Sequence, residues 1–200
     1  MQPLESCAWV RNAGSLWQQA TTARFLDALA DGSLPAEAFN RWLVQDFHFA
    51  DALTSFQAIA LAKTPWELRK PLLAGLAALG SEMDWFQSVA AARGANLGGP
   101  PHPICRHYCD FLLRVAYIES YPILLVVLFG VEASYLAAWS RLRADGPYQE
   151  FIRRWSSPEF AGYVDSLRAL AEQHPRDSSQ VYFEEVLNHE RDFWTMAWEG

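Results

Sequence analysis

The sequence predicts an all-α protein, and three observations carry that reading. Apolar residues recur at spacings of three and four along most of the chain. No run alternates β-branched with polar residues, and no Asn-Gly or Asp-Gly pair joins two strand-like segments. Pro35, Pro65, Pro103, Pro122, Pro147 and Pro158 each stand near the start of a helix-sized segment, where the N–H that proline lacks would be unbonded anyway.

The elements follow in order from their punctuation. Gly, Pro and Ser clusters fall at DGSLP (31–35), KTP (63–65), GANLGGPPHP (94–103), ESYP (119–122), ADGP (144–147), SSP (156–158) and HPRDSS (174–179). The segments between these breaks are mostly of helical length. None is long or biased enough to be a linker, and no repeat is visible. The expectation is one domain over residues 1–200, a bundle of about seven or eight helices.

Composition narrows the class. Of 200 residues, 51% are hydrophobic and 20% charged, enough apolar surface for a sizeable core. Aromatic residues reach 14%, a supply of rings for a core and for a pocket that takes a flat ligand. The net charge of −7 opposes nucleic-acid and anionic-membrane partners, both of which need a basic surface. Three cysteines and an N-terminus without a secretion signal point to free thiols in a reducing compartment, the cytoplasm. The stretch from Tyr121 to Trp139 nearly reaches membrane-spanning length. It carries Pro122, Gly130 and Glu132, however, and reads better as a buried core helix.

Carboxylates on apolar stripes are the informative residues. Asp46 lies on the stripe Phe39, Trp42, Leu43, Phe49, Ala50, Leu53 and Phe56. There it is either a structural acid tied to a neighbouring backbone or Arg, or a functional group with a shifted pKa. Glu190 sits between Leu187 and Phe193 on the stripe of the last helix, and a second buried acid favours a shared polar site. His189, at that stripe's edge, is expected to be partly exposed and bonded to Glu185. Glu132 falls inside the most apolar helix, among Leu128, Phe129, Tyr135 and Leu136, where a functional role is favoured. Tyr108 shares a stripe with Cys105, Phe111, Leu112 and Val115, and its buried hydroxyl needs a partner such as a pocket carboxylate. No Glu is followed by His three residues on, and no P-loop, G-x-G-x-x-G or G-x-S-x-G pattern is present, so neither a metal nor a cofactor is expected. Cys105 and Cys109 read as two core thiols.

Taken together the segments resemble the TenA/thiaminase II family, nearly end to end. The resemblance rests on DGSLPAEAFNRWLVQDFHF (31–49), SEMDWF (81–86), PICRHYCDFL (103–112), PYQEFIRRWSSPEF (147–160) and NHERDFWTMA (188–197). Each is loose alone; their order and spacing are specific. The family's nucleophilic cysteine would stand at Val131. The segment FGVEASY instead resembles the glutamate-type TenA-E branch, in which Glu132 takes the place of the thiol. Phe49 and Trp155 stand where the cysteine branch has tyrosines, which implies a more apolar pocket.

The resemblance implies a haem-oxygenase-like fold, commonly assembled as a dimer or tetramer. It implies hydrolysis of 4-amino-5-aminomethyl-2-methylpyrimidine, or of its N-formyl derivative, towards the hydroxymethyl pyrimidine reused in thiamin synthesis. By the same carry-over Glu132 and Glu190 are catalytic. Asp46 binds the aminopyrimidine edge, Tyr108 and Tyr135 position it, and Phe49 and Trp155 belong to the aromatic lining. The rivals are a non-catalytic protein that binds a pyrimidine or other flat ligand, and another enzyme of this fold such as a PqqC-like oxidase. A transcriptional role through direct DNA contact is opposed by the charge.

Overall fold

A computed structural model describes residues 3–143 and 146–200. It is all-helical over these residues, as the spacing predicts, with ten α-helices. Seven have eight residues or more: α3 (Arg24–Asp31), α4 (Ala36–Lys63), α5 (Lys70–Arg93), α6 (Pro103–Ile118), α7 (Tyr121–Ser140), α9 (Pro158–Gln173) and α10 (Ser179–Glu199). Three short ones, α1 (Ala8–Ala13), α2 (Ser15–Thr21) and α8 (Gln149–Trp155), bring the number above the expected seven or eight. The excess arises before DGSLP, where one segment holds α1, α2 and α3: it breaks at Gly14, at φ +53°, an angle few other residues adopt without strain, and again at Thr22 and Ala23, both extended. The break at ADGP (144–147) falls partly on residues 144 and 145, outside the described residues.

The punctuation acts as its chemistry requires. Pro103 and Pro158 occupy first helical positions, and Pro122 lies in the first turn of α7. Ser157 Oγ accepts the Phe160 N–H at the start of α9, and His102 Nδ1 accepts that of Ile104 at the start of α6.

Helix α7 is the axis of the core. Its mean hydropathy of 1.8 over eighteen residues is that of a possible membrane span, but 78% of that window is buried against the other helices. Among the described residues no other helix is so long and apolar. It packs on α9 and α10, while α4 packs on α5 and α6. A Cβ at Gly130 would lie 3.3 Å from both Phe183 and Val186, so the glycine lets α7 and α10 approach closely.

Two cations pin helices α6 and α10 against α4. Lys63 Nζ donates to the carbonyls of Ala116, Tyr117 and Glu119 at 2.7, 2.8 and 2.9 Å, closing the C-terminal end of α6. Arg41 donates to the carbonyls of Met196, Ala197 and Trp198 at the end of α10. These anchors hold Tyr108 of α6 and Glu190 of α10 in register with Asp46 of α4.

Candidate active site

A cleft with about 580 Å³ of empty space opens among α4, α5, α7, α8 and α9. Asp46 and Phe49 enter it from α4, Glu82 from α5, Val131, Glu132 and Tyr135 from α7, Trp155 from α8, and Phe160 and Tyr163 from α9. Behind it lies a smaller void of about 170 Å³ that shares Asp46, Phe49 and Tyr135 and adds Tyr108, Glu190 and Phe193. All seven residues named from the sequence therefore gather around two adjoining spaces. Glu132, Asp46, Tyr135, Phe49 and Trp155 face the larger; Glu190 and Tyr108 face only the smaller.

Three of the four carboxyls accept one hydrogen bond each from an aromatic donor. Tyr135 donates to Asp46 Oδ2 at 2.8 Å, Tyr108 to Glu190 Oε1 at 2.7 Å, and the Trp155 indole to Glu82 Oε1 at 3.2 Å. Asp46 thus has a phenol as its partner, not the backbone group or Arg that a purely structural acid would take. Glu132 has no side-chain partner among the described residues and faces the cleft with its carboxyl uncommitted.

No Lys or Arg side chain lines the cleft, so burial sets the protonation of its acids. Burial raises Glu132 and Glu190 to about 8. Glu82 is raised to about 7 by burial, with Arg154 opposing. Asp46 is likewise pushed well above the ordinary carboxylate range by burial, against the pull of the Tyr135 hydrogen bond. Near neutral pH the site therefore holds several un-ionised carboxyls. Such groups can both donate and accept, which a carboxylate cannot.

This has a consequence for stability. In the unfolded chain Glu132 ionises near 4.5; in the folded protein it stays protonated to about 8. Its contribution is fully present below pH 4.5 and is lost as the pH rises to about 8, because the unfolded chain releases the proton first. Glu132→Gln is accordingly expected to melt with the wild type at pH 4.5. At pH 8.5 it should melt roughly 3–9 °C higher, for a relief of about 1–3 kcal/mol. Melting curves at the two pH values check this; equal curves at pH 8.5 contradict it.

Two polar residues that line the cleft were not among the candidate site residues. Glu82, in the SEMDWF segment that carries part of the resemblance, stands three residues after Leu79 and four before Phe86, so the signal that marked Asp46 and Glu190 was present for it too. Tyr163 belongs to α9, and nothing local marks it. The expectation of a more apolar pocket is modified accordingly: Tyr163 brings a phenol from another helix, and Trp155 contributes an N–H donor. His189 is partly exposed, as expected, but its partner is not Glu185. Glu185 pairs with Arg114 at 3.1 Å, and the His189 ring stacks on Tyr108 at 4.8 Å, with an interplanar angle of 6°. The π-face of Tyr108 offers His189 a partner inside the fold, and Arg114 offers Glu185 full charge pairing. Cys105 and Cys109 lie 4.0 Å apart on α6, bonded to the carbonyls of Gln45 and His48, and line neither space.

The all-helical fold thus holds a cleft walled by acids and aromatic side chains. The family follows from comparison. Residues 10–200 match the model of the TENA/THI-4/PQQC family, and the chain belongs to that family. A probable bifunctional TENA-E protein of Glycine max is 25% identical over 94% of this chain and 91% of its own length. A TenA homologue of Pyrococcus furiosus superposes with a TM-score of 0.88 at 30% identity, covering 94% of this chain and 97% of its own. A protein of Silicibacter sp. TM1040 described as a TenA family transcription regulator shares the fold at 21% identity, with a TM-score of 0.88 over 96% of this chain and 95% of its own. The haem-oxygenase-like fold expected from the sequence is thereby present.

Proposed function

We propose that the protein is an aminopyrimidine hydrolase of thiamin salvage that works without a thiol. Its substrate is 4-amino-5-aminomethyl-2-methylpyrimidine or the N-formyl derivative, converted towards the hydroxymethyl pyrimidine. The observation that carries the reading is the pairing of an uncommitted Glu132 with a hydrogen-bonded Asp46 in one aromatic-walled cleft. Val131 stands beside them at the family's cysteine position, and none of the protein's cysteines reaches the cleft.

The chemistry follows from protonation. An aminopyrimidine edge presents an N–H donor next to a ring-nitrogen acceptor. A protonated Asp46 presents the complement: its O–H donates to the ring nitrogen and its other oxygen accepts from the amino group. Phe49 and Trp155 supply flat apolar walls. The exocyclic aminomethyl group then lies towards Glu132. Water adds at the methylene carbon, the C–N bond breaks, and the nitrogen leaves with the proton it needs as ammonia or ammonium. One carboxyl must deliver a proton and another must accept one from water; Glu132 and Glu190 divide these roles.

Glu132 and Glu190 both hold their protons to about 8. Acid and base coexist only once one of the two has lost its proton and the other has not. The plot of kcat/KM against pH is therefore expected to be bell-shaped with its maximum near 8. A flat profile from pH 5 to 9 would remove the carboxyls from the chemistry.

The direct test is ammonia release and hydroxymethyl pyrimidine formation by purified protein given the aminomethyl pyrimidine, the N-formyl derivative or thiamin. Turnover of either pyrimidine with thiamin inert supports the proposal. Pyrimidine binding without any turnover overturns it in favour of a flat-ligand-binding protein. The cytoplasmic setting and a dimeric or tetrameric assembly belong to the same proposal; exposed Trp66, Tyr117, Ile118 and Val181 supply apolar surface for the latter.

A further inference from the structure

The cleft opens outward into a vestibule of about 1230 Å³ of empty space between α5 and the α8–α9 corner. Among the described residues, Glu82 of α5 is the one carboxyl that lines both spaces. It is half-buried, and α8 fixes it in place. The Trp155 indole donates to its Oε1 at 3.2 Å. The neighbouring Arg154 lies over the Trp85 ring at 4.2 Å, and Trp85 is one turn from Glu82 on α5. The Trp85 indole in turn donates to Glu150 Oε1 at 2.8 Å, a second tie between α5 and α8. Glu82 Oε2 accepts no hydrogen bond among the described residues. One oxygen is thus held by the fold, and the other is left for what enters the cleft.

Charge differs on the two sides of Glu82. Towards the cleft stand Asp46, Glu132, Tyr135 and Tyr163, none of which can carry a positive charge. Towards the vestibule stand Glu150, Arg153, Arg154 and Glu159. Arg154 spends its guanidinium face on Trp85, yet its charge favours the ionised form of Glu82. Burial raises Glu82 only to about 7, whereas Glu132 and Glu190 hold their protons to about 8. An aliphatic ammonium group keeps its proton well above pH 7. Among un-ionised carboxyls it would be stripped of water without gaining a counter-charge. An ionised Glu82 supplies that counter-charge where the cleft meets the vestibule.

We propose that Glu82, held by Trp155, is a specificity residue that anchors the positively charged exocyclic nitrogen of the substrate, its free carboxylate oxygen accepting a hydrogen bond from the ammonium group. This rests on the aminopyrimidine hydrolase reading and adds a residue to it. Asp46 reads the edge of the ring, and Glu82 reads the charge on its substituent. A charge-assisted hydrogen bond in a half-buried site discriminates against a neutral group of the same shape, which leaves the carboxylate unpaired. The ammonium substrate and water become a neutral alcohol and an ammonium ion. The alcohol therefore lacks the ion pair that held the substrate, and the ammonium ion is released beside the vestibule.

The test compares calorimetric affinities for the aminomethyl pyrimidine and for the hydroxymethyl pyrimidine, which keeps the ring and shape but has no charge. The proteins are Glu132→Gln, which suppresses turnover, and the same variant carrying Glu82→Gln as well. At pH 7.5 the preference for the amine is expected to fall at least tenfold when Glu82→Gln is added, with affinity for the alcohol kept within threefold. A smaller fall, or an equal loss for both ligands, overturns the assignment. If the double variant does not fold, the pH dependence of Glu132→Gln decides. Its preference for the amine should rise at least fivefold from pH 5.5 to 7.5, as Glu82 loses its proton; a constant preference overturns the anchor. Turnover by the wild type judges the hydrolase reading separately. A preference that follows Glu82 without turnover keeps the anchor and removes the hydrolase; turnover with the preference intact in the double variant does the reverse. Binding of neither ligand overturns both.

Discussion

Glu132→Gln is expected to lower turnover of the aminomethyl pyrimidine about 10³-fold, in the middle of the range for removal of a general acid or base. The substitution keeps the shape and polarity of the side chain but removes the proton it can give or take. The carboxyl has no side-chain partner among the described residues, so its loss orphans no other group. The same variant is expected to fold and, at alkaline pH, to be the more stable protein. Pyrimidine affinity, set by Asp46 and the aromatic walls, should stay within about threefold of wild type. Single-turnover ammonia release and calorimetric binding measure the two quantities separately. Retention of more than a tenth of the activity would remove Glu132 from the reaction. A parallel loss of binding would make it a ligand contact instead.

The second large effect concerns Asp46 and separates charge from hydrogen-bond pattern. Asp46→Ala is expected to weaken aminopyrimidine binding roughly 100-fold. It removes the paired contact to the ring, a loss of about 2–3 kcal/mol of binding. Asp46→Asn is expected to bind within about fivefold of wild type. The asparagine oxygen can still accept from Tyr135 and from the amino group of the ring, while its NH₂ takes over donation to the ring nitrogen. This near-equivalence holds only if Asp46 is protonated in the native site, as its burial requires. If Asp46 acted as an anion paired with a pyrimidinium ring, asparagine would lose as much as alanine. Binding isotherms of the three proteins at pH 7 decide between the two.

Much of the fold was legible because helix formation is local. Proline at the first turn of α6, α7 and α9, glycine after α3 and α5, and apolar spacing of three and four all act within one or two turns. The same locality made Asp46, Glu132 and Glu190 visible, since an acid on an apolar stripe is anomalous in its own helix. The split of the N-terminal segment was missed because it depends on the backbone angles at Gly14, Thr22 and Ala23, which composition does not reveal. His189 was misread because a local pair with Glu185 was weighed without Arg114 and Tyr108, which arrive from another helix.

The sequence by itself determined the helical class, the family and the acids turned inward. These are properties of residue type and short-range spacing. Only the tertiary structure decided which of the acids share a space. It put Glu132 and Asp46 in the open cleft with Glu82, and Glu190 behind it. It also decided that Tyr163 lines the cleft, against a glycine on α5 and bonded to a glutamine on α4 that are remote from it in the chain. The reason is that burial, distance and the pKa values they produce sum over helices far apart in sequence. A residue's own helix specifies the face it occupies, and the packing of the others specifies what that face meets.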